Sequence, residues 1–434
     1  MHFQFTNQAK DWASLALLAG RHITLGGISG EYEDAHPSLR NEFKVETEVN
    51  DTVVLHSKLG YILTNSLVNI ERKNNDPALT KFWAGCGTYN DDNNIDIEHT
   101  FKYTETNGQG SAGGGLIYLY AENNILSNQV CDSREAPITF MAPAASRTIT
   151  TWEAERNINT VGRVDFMYGP ADNMGPLTWL ARGGYIQTER PVTIAYKSDS
   201  LISFRAEDWR HDATRNNNIG LVGPNRRGNI HFYDSVDIKR DNAKGGITEI
   251  KAENHIWTAM LNYVDKQSAG DTMDIISHKG DIYLGYNDGT ADQTVPYDQY
   301  VGQIINGDIK QGSPHRAPSC KPSASDVSYD KNIFTYTIPA SNKKGHLWIK
   351  AGWEELTDRN AVPDYTGPAN ADSSRAAGGN IYFTHITVKQ DKASNHPTVI
   401  SIPFSGLWRC DNKTTEDSLL HRRAGGSRQR YENA

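Results

Sequence analysis

The densest group of titratable side chains in the chain is Glu207, Asp208, Arg210, His211 and Asp212. Acids, a guanidinium and an imidazole so closely spaced could serve general acid–base chemistry on a polysaccharide, where one carboxyl protonates the leaving oxygen and a second group works opposite it. Glu207, Asp208 and His211 are therefore the first catalytic candidates if the chain is an enzyme. The cluster follows the apolar run Leu201–Arg205 and precedes the Asn-rich stretch Asn216–Asn218. A solvated polar turn accounts for it without any chemistry, so no catalytic residue is assigned.

A second constellation, Asp92, Asn94 and Asp96, places oxygen ligands at alternate positions, as a calcium loop can. The glycine and downstream glutamate of an EF-hand are missing, and an exposed strand entry explains the spacing. Calcium is the one cofactor these residues bring to mind; no other is expected. Asn287 to Asp292 contains Asp-Gly and reads as a turn. The four cysteines, Cys86, Cys131, Cys320 and Cys410, form no CxxC pair and leave disulfide pairing open.

Several classes find no support. The chain has no Gly-x-Ser-x-Gly elbow, zinc-helix motif or phosphate loop, and Gly113–Gly115 precedes a strand rather than a helix. A formal charge of −8 over 434 residues gives no general attraction for phosphate backbones or anionic lipid. We expect no nucleic-acid partner. The basic tail, His421, Arg422, Arg423, Arg428 and Arg430, reads as a solvated terminus. No run approaches the roughly 18 apolar residues of a membrane span, so membrane insertion is not expected. Trp12–Gly20 lacks the flanks of a cleaved leader, and we expect the chain to be part of a larger protein or surface assembly.

The elements that must position such residues are short strands. Thr52–Leu55, Ile138–Met141, Val192–Tyr196, Ile333–Ile338 and Thr398–Ile402 are apolar, β-branched or aromatic, and bounded by turn formers. The stretch Ala9–Ala19 could form a short amphipathic helix, and either a helix or a strand there would suit the end of an array as a cap. A phrase also recurs: glycine, a variable residue, then an apolar–polar–apolar alternation. It starts at Gly115, Gly162, Gly228, Gly280, Gly345 and Gly379, with looser forms at Gly20, Gly184 and Gly246. The glycine would supply the turn, and the alternation one buried face that must stack on its copies. The fold class expected is all-β: a right-handed parallel β-helix with irregular loops, or alternatively an array of β-sandwich domains. Residues 1–310 would form the main solenoid-like unit, the Pro- and Ser-rich 311–326 a loop or linker, and 327–434 a further β segment. Tyr118 and Tyr120 share a strand face and, with nine tryptophans spread along the chain, could stack on sugars.

The Gly-Asn-Ile-x-Phe phrases at Gly228 and Gly379 resemble the strand-and-turn repeats of filamentous-haemagglutinin-like adhesins and other bacterial surface β-helices. The resemblance is scattered over about two-thirds of the chain and implies architecture and adhesion, without transferring site residues. Independently, Asp followed by Ser or Thr and an apolar residue occurs around Thr52, Ser200, Ser235, Thr272 and Ser418. These triplets are similar to the O-glycosylation acceptors of exported Bacteroidetes proteins; turn-forming Asp-Ser and Asp-Thr pairs are the plainer alternative. The resulting expectation is a non-catalytic structural or adhesive segment of a bacterial cell-surface protein, with surface glycans or proteins as partners. A polysaccharide lyase or glycosidase on the same scaffold is the competing class, and a phage or secretion-system fibre a third.

Overall fold

The computed structural model describes residues 3–7, 14–25, 42–47, 52–64, 67–72, 79–86, 93–97, 101–105, 116–127, 138–142, 149–160, 162–168, 175–188, 190–207, 228–241, 245–265, 271–278, 280–284, 334–338, 346–351, 381–383, 386–390, 399–401 and 409–410. These residues contain strands and no helix, and every strand pairing among them is parallel.

The chain opens with β1 (Phe3–Asn7), β2 (Ser14–Ala19), β3 (Ile23–Leu25) and β4 (Glu42–Thr47), and continues with β5 (Thr52–Ser57), β6 (Ile62–Thr64) and β7 (Leu67–Arg72). β2 pairs with β5, β3 with β6, and β4 with both β1 and β7. Each strand therefore hydrogen-bonds to the strand three elements away, the signature of a chain coiling through three columns. This is a parallel β-helix. All-parallel pairing leaves no room for a sandwich, whose sheets are antiparallel.

The same three-strand coil follows in β8 (Leu79–Ala84), β9 (Ile95–Ile97) and β10 (Phe101–Glu105); in β11 (Leu116–Ala121), β12 (Ile125–Ser127) and β13 (Ile138–Ala142); and in β14 (Ile149–Ala154), β15 (Ile158–Thr160) and β16 (Val164–Tyr168). Next come β17 (Leu177–Ala181), β18 (Tyr185–Thr188) and β19 (Val192–Tyr196), then β20 (Ile202–Ala206). From there the second and third columns merge in the long strands β21 (Asn229–Arg240) and β23 (Ile256–Asp265), with a register shift between Phe232 and Ser235. β22 (Ile247–Ala252) and β24 (Thr272–Ser277) continue the first column, and β25 (Ile282–Leu284) the second.

The stretch 311–326 lies outside the described residues. On its far side, β26 (Phe334–Ile338) pairs with β23, and β27 (His346–Ala351) with β24. The strands on both sides thus belong to the same columns.

Inside, the columns are ladders of like residues. One register row of the second column is isoleucine in ten successive rungs, among them Ile23, Ile62, Ile95, Ile158 and Ile282. The first column ends on Ala or Ser throughout: Ser57, Ala84, Ala121, Ala154, Ala181, Ala206, Ala252, Ser277 and Ala351 are buried. Two residues before it run the large side chains, with Trp152 and Trp179 stacked 4.7 Å apart at 8° between Phe82 and Phe204 further along the row. Small residues fit where the chain turns the corner. Where serine replaces alanine its hydroxyl bonds across that corner, Ser57 to the Arg21 carbonyl and Ser277 to that of Asn254.

Corners are held by two further devices. The residue before the isoleucine offers a side-chain acceptor to the backbone N–H of the next rung. Asn94 Oδ1 accepts from Asn124 N (3.0 Å), Asn157 Oδ1 from Tyr185 N (3.0 Å), Asn229 Oδ1 from His255 N (2.9 Å), and His255 Nδ1 from Asp281 N (2.9 Å). Asn Oδ1 and His Nδ1 sit the same number of bonds from the backbone, which is why the two residues interchange. At Gly184 and Gly280 a Cβ would collide with the acceptors of Asn157 and His255. Their glycine thus answers a neighbouring side chain rather than a turn alone. Between the third and first columns two buried arginines act alike. Arg72 donates to Thr80 Oγ1 (2.7 Å) and the Leu79 carbonyl, and Arg240 to Thr248 Oγ1 (3.0 Å) and the Ile247 carbonyl.

Of the two elements open to Ala9–Ala19, helix and strand, the described part is strand and not helix. Ser14–Ala19 is strand β2, a rung of the first column. Leu15, Leu17 and Ala19 fall at period two and continue the interior rows begun by Val53, Leu55 and Ser57, which overrides the weak helical pattern.

Candidate functional site

Because inward positions of the first column are committed to the core, chemistry on this sheet is confined to the alternate, outward positions. In β8, β11 and β14 these are Lys81 and Trp83, Tyr118 and Tyr120, Thr151 and Glu153, in direct register. The strands alternate half-buried and buried side chains, so the outward row borders solvent. Successive rungs lie about 4.8 Å apart.

A network crosses these rungs diagonally. The Tyr118 hydroxyl donates to Glu153 Oε2 (2.8 Å) and that of Tyr120 to Glu155 Oε1 (3.2 Å). Arg182, one rung on, meets Glu153 at 2.5 Å and Glu155 at 3.8 Å. Burial first, then the neighbouring glutamates, pushes both tyrosine hydroxyls well above the usual phenol range. Burial opposes the charge of Arg182, but its bond to Glu153 together with the charges of Glu153, Glu155 and Glu207 outweighs this and holds it above the ordinary value.

At the other end of the strip the Lys81 ammonium lies 3.4 Å from the Trp83 ring centre and 5.4 Å from that of Tyr118. His56 tilts against Trp83 at 5.1 Å and is pinned by a 2.8 Å bond between Nε2 and the Gly85 carbonyl. Burial alone moves the Lys81 pKa, below the usual lysine range.

Four rungs further on, the same face changes character. In β20, β22 and β24 the outward residues Ser203, Glu249, Lys251 and Asp274 are buried, so the outer face is covered there except at Arg205, whose side chain stays exposed. Ser203 Oγ donates to Glu249 Oε1 (2.8 Å), and Glu249 Oε2 pairs with Lys251 Nζ (2.8 Å). Asp274 is the register neighbour of Glu249.

The sequence candidates are distributed differently. Glu207 sits just past β20, half-buried and 3.1 Å from Arg205, while Asp208 and His211 lie outside the described residues. Asn94 has its Oδ1 engaged by Asn124, Asp96 is buried on β9, and Asp92 lies outside the described residues. Among the described residues no group of three His, Cys, Asp or Glu is arranged to hold a metal ion. Of the triplet hydroxyls, Thr52 and Thr272 are half-buried at the starts of β5 and β24, Ser200 is half-buried, Ser235 is buried, and Ser418 lies outside the described residues. Two of the triplet aspartates have backbone duties. Asp271 accepts from Gly246 N and the Tyr263 hydroxyl, and Asp234 from Ser235 N. Tyr118 and Tyr120 do share the outward face.

Lys81, Trp83, Glu153 and Arg182 escaped sequence reasoning. The signal was present: strands reading LTKFWA, LIYLYA and ITTWEA end on the same small residue, and aligning them there fixes which side chains face out. No family model, curated protein or solved structure matches the chain.

Proposed function

We propose that this chain is a stiff, non-catalytic adhesive rod of a bacterial cell-surface protein, and that the outward face of its first column binds an extended glycan. One observation carries the reading: along the rod axis the strip sets two rungs of aromatic rings, Trp83 and then Tyr118 with Tyr120, in direct register and next to the fixed hydrogen-bonding groups Glu153 and Arg182. Sugar polymers present the complementary sequence of apolar ring faces and hydroxyls. In this strip Glu153 and Glu155 are already engaged by Arg182 and the two tyrosines. Such carboxylates orient a bound hydroxyl but are poorly placed to hand over a proton, which favours binding over cleavage.

Affinity electrophoresis of the purified chain through gels containing polysaccharides tests the reading. Retardation that Tyr118→Ala abolishes, with no release of reducing ends or unsaturated sugars, is the expected result. Release of such products moves the chain to the lyase or glycosidase class, and no retardation by any polysaccharide removes the glycan.

A further inference from the structure

Lys81 differs from three other cations of its column. Arg182, Arg205 and Lys251 on the same outward face all have a carboxylate within 4.0 Å. Lys81 has none among the described residues; its neighbours are the rings of Trp83 and Tyr118. A half-buried ammonium loses part of its hydration, and ring faces return only some of it because they satisfy none of its three N–H donors directionally. The remaining donors form a preset anion seat. An anion arriving there meets a cation already desolvated and oriented, so little has to be reorganised on binding.

The surroundings narrow the class of anion. Trp83 lies beneath the ammonium, His56 beside Trp83, and the Tyr118 ring in the next rung. One rung beyond begins the hydroxyl-and-carboxylate network of Glu153 and Arg182. Within that network an anion would face Glu153 and Glu155, whereas at Lys81 no carboxylate raises the ammonium pKa. The negative group therefore belongs at one end of the strip and neutral hydroxyls along the rest.

We infer that Lys81, seated between Trp83 and Tyr118, takes the carboxylate of an acidic sugar, so that the face selects uronate-containing over neutral glycans. This rests on the glycan-binding reading above and adds the ligand's charge to it.

The experiment is affinity electrophoresis of the full chain in polygalacturonate, dextran sulfate and neutral dextran, for wild type, Lys81→Met, Lys81→Arg and Lys44→Gln. The wild type is expected to bind polygalacturonate about tenfold more tightly than dextran. Lys81→Met should erase that ratio while leaving dextran retardation and the thermal midpoint in place. Lys81→Arg keeps the charge and should retain most of the preference; Lys44→Gln, which removes a cation from the third column, should leave it unchanged. Equal binding of polygalacturonate and dextran by the wild type overturns the Lys81 assignment and leaves the glycan reading standing, whereas binding of neither removes both. A preference that survives in Lys81→Met, or one for dextran sulfate that exceeds polygalacturonate, also overturns the assignment.

Discussion

The outward face of the first column is one sheet with two kinds of surface. Over β8, β11 and β14 its polar groups are half-buried and cross-linked, with rings among them. Over β20, β22 and β24 the same register positions, Arg205 apart, are buried and hold the Glu249–Lys251 pair with Ser203. Spacing, strand direction and hydrogen-bond pattern are the same in both. What differs is access to water, and access decides what a charge contributes. In the first region an ion pair is partly screened and open to exchange its partner for a ligand; in the second it is a closed set whose members depend on one another.

The largest effect should come from breaking the closed set. Lys251→Ala leaves Glu249 buried without its ammonium, and we expect a loss of about 3–5 kcal/mol in urea unfolding. Replacing Lys251 and Glu249 together by Met and Gln should recover much of this, since neither position then carries a lone buried charge. A Lys251→Ala loss under about 1 kcal/mol would erase the distinction between the two surfaces.

Next in size is the shared interior, which must be equally intolerant under both regions. Ala154 and Ala206 lie in the same small-residue row, one beneath the open face and one beneath the covered face. Ala154→Leu and Ala206→Leu should each cost about 1–3 kcal/mol through overpacking at the corner. A large difference between them would mean that the rows are not equivalent.

How legible this was differs along the same line. Strand content could be read because apolar runs of period two are local signals, and the coiling because glycine phrases recur. The spacing was not legible. Gly228 and Gly280 introduce second-column strands, Gly162 a third-column strand and Gly246 a first-column strand, so one phrase marks three different places in the coil. Coil length then varies freely in the connections: Leu177 pairs with Ile202, 25 positions on, but Thr80 with Ile117, 37 on, and Met273 with Leu347, 74 on. Glu207 drew notice because its charged neighbours are adjacent in sequence, whereas Glu153 and Arg182 meet across rungs, 29 positions apart. Proximity of that kind needs the register first.

A smaller effect should separate the ends of the stack by pH. Burial holds His255 below the ordinary imidazole range, despite the opposing charge of Asp281. Its Nδ1 accepts the Asp281 N–H, a bond that only the neutral ring can make. Near neutral pH both folded and unfolded states carry the ring uncharged and no penalty arises. As pH falls below about 6.5 the unfolded chain takes up the proton first, so stability declines until the lowered folded pKa is reached. His255→Asn keeps an acceptor of the kind used at Asn157 and Asn229 and removes the titrating group. The difference in urea midpoint between pH 7.5 and pH 5 should shrink in this variant. An unchanged difference would assign the acid sensitivity to other groups.

The smallest effect should be at Arg182. Removing it by Arg182→Ala breaks pairs with Glu153 and Glu155 that are a quarter exposed or less on each side. Yet the tyrosine hydroxyls remain bonded to the same carboxylates, and water can reach the vacated side. Partial screening then limits the loss to about 1 kcal/mol, well below that for Lys251 on the same sheet. Glycan retardation should nevertheless fall, because the two glutamates would regain freedom that the guanidinium had removed. A loss of stability matching Lys251→Ala would make the open strip a structural clamp like its covered counterpart. A loss of binding with stability nearly intact is what an exposed, preorganised recognition surface requires.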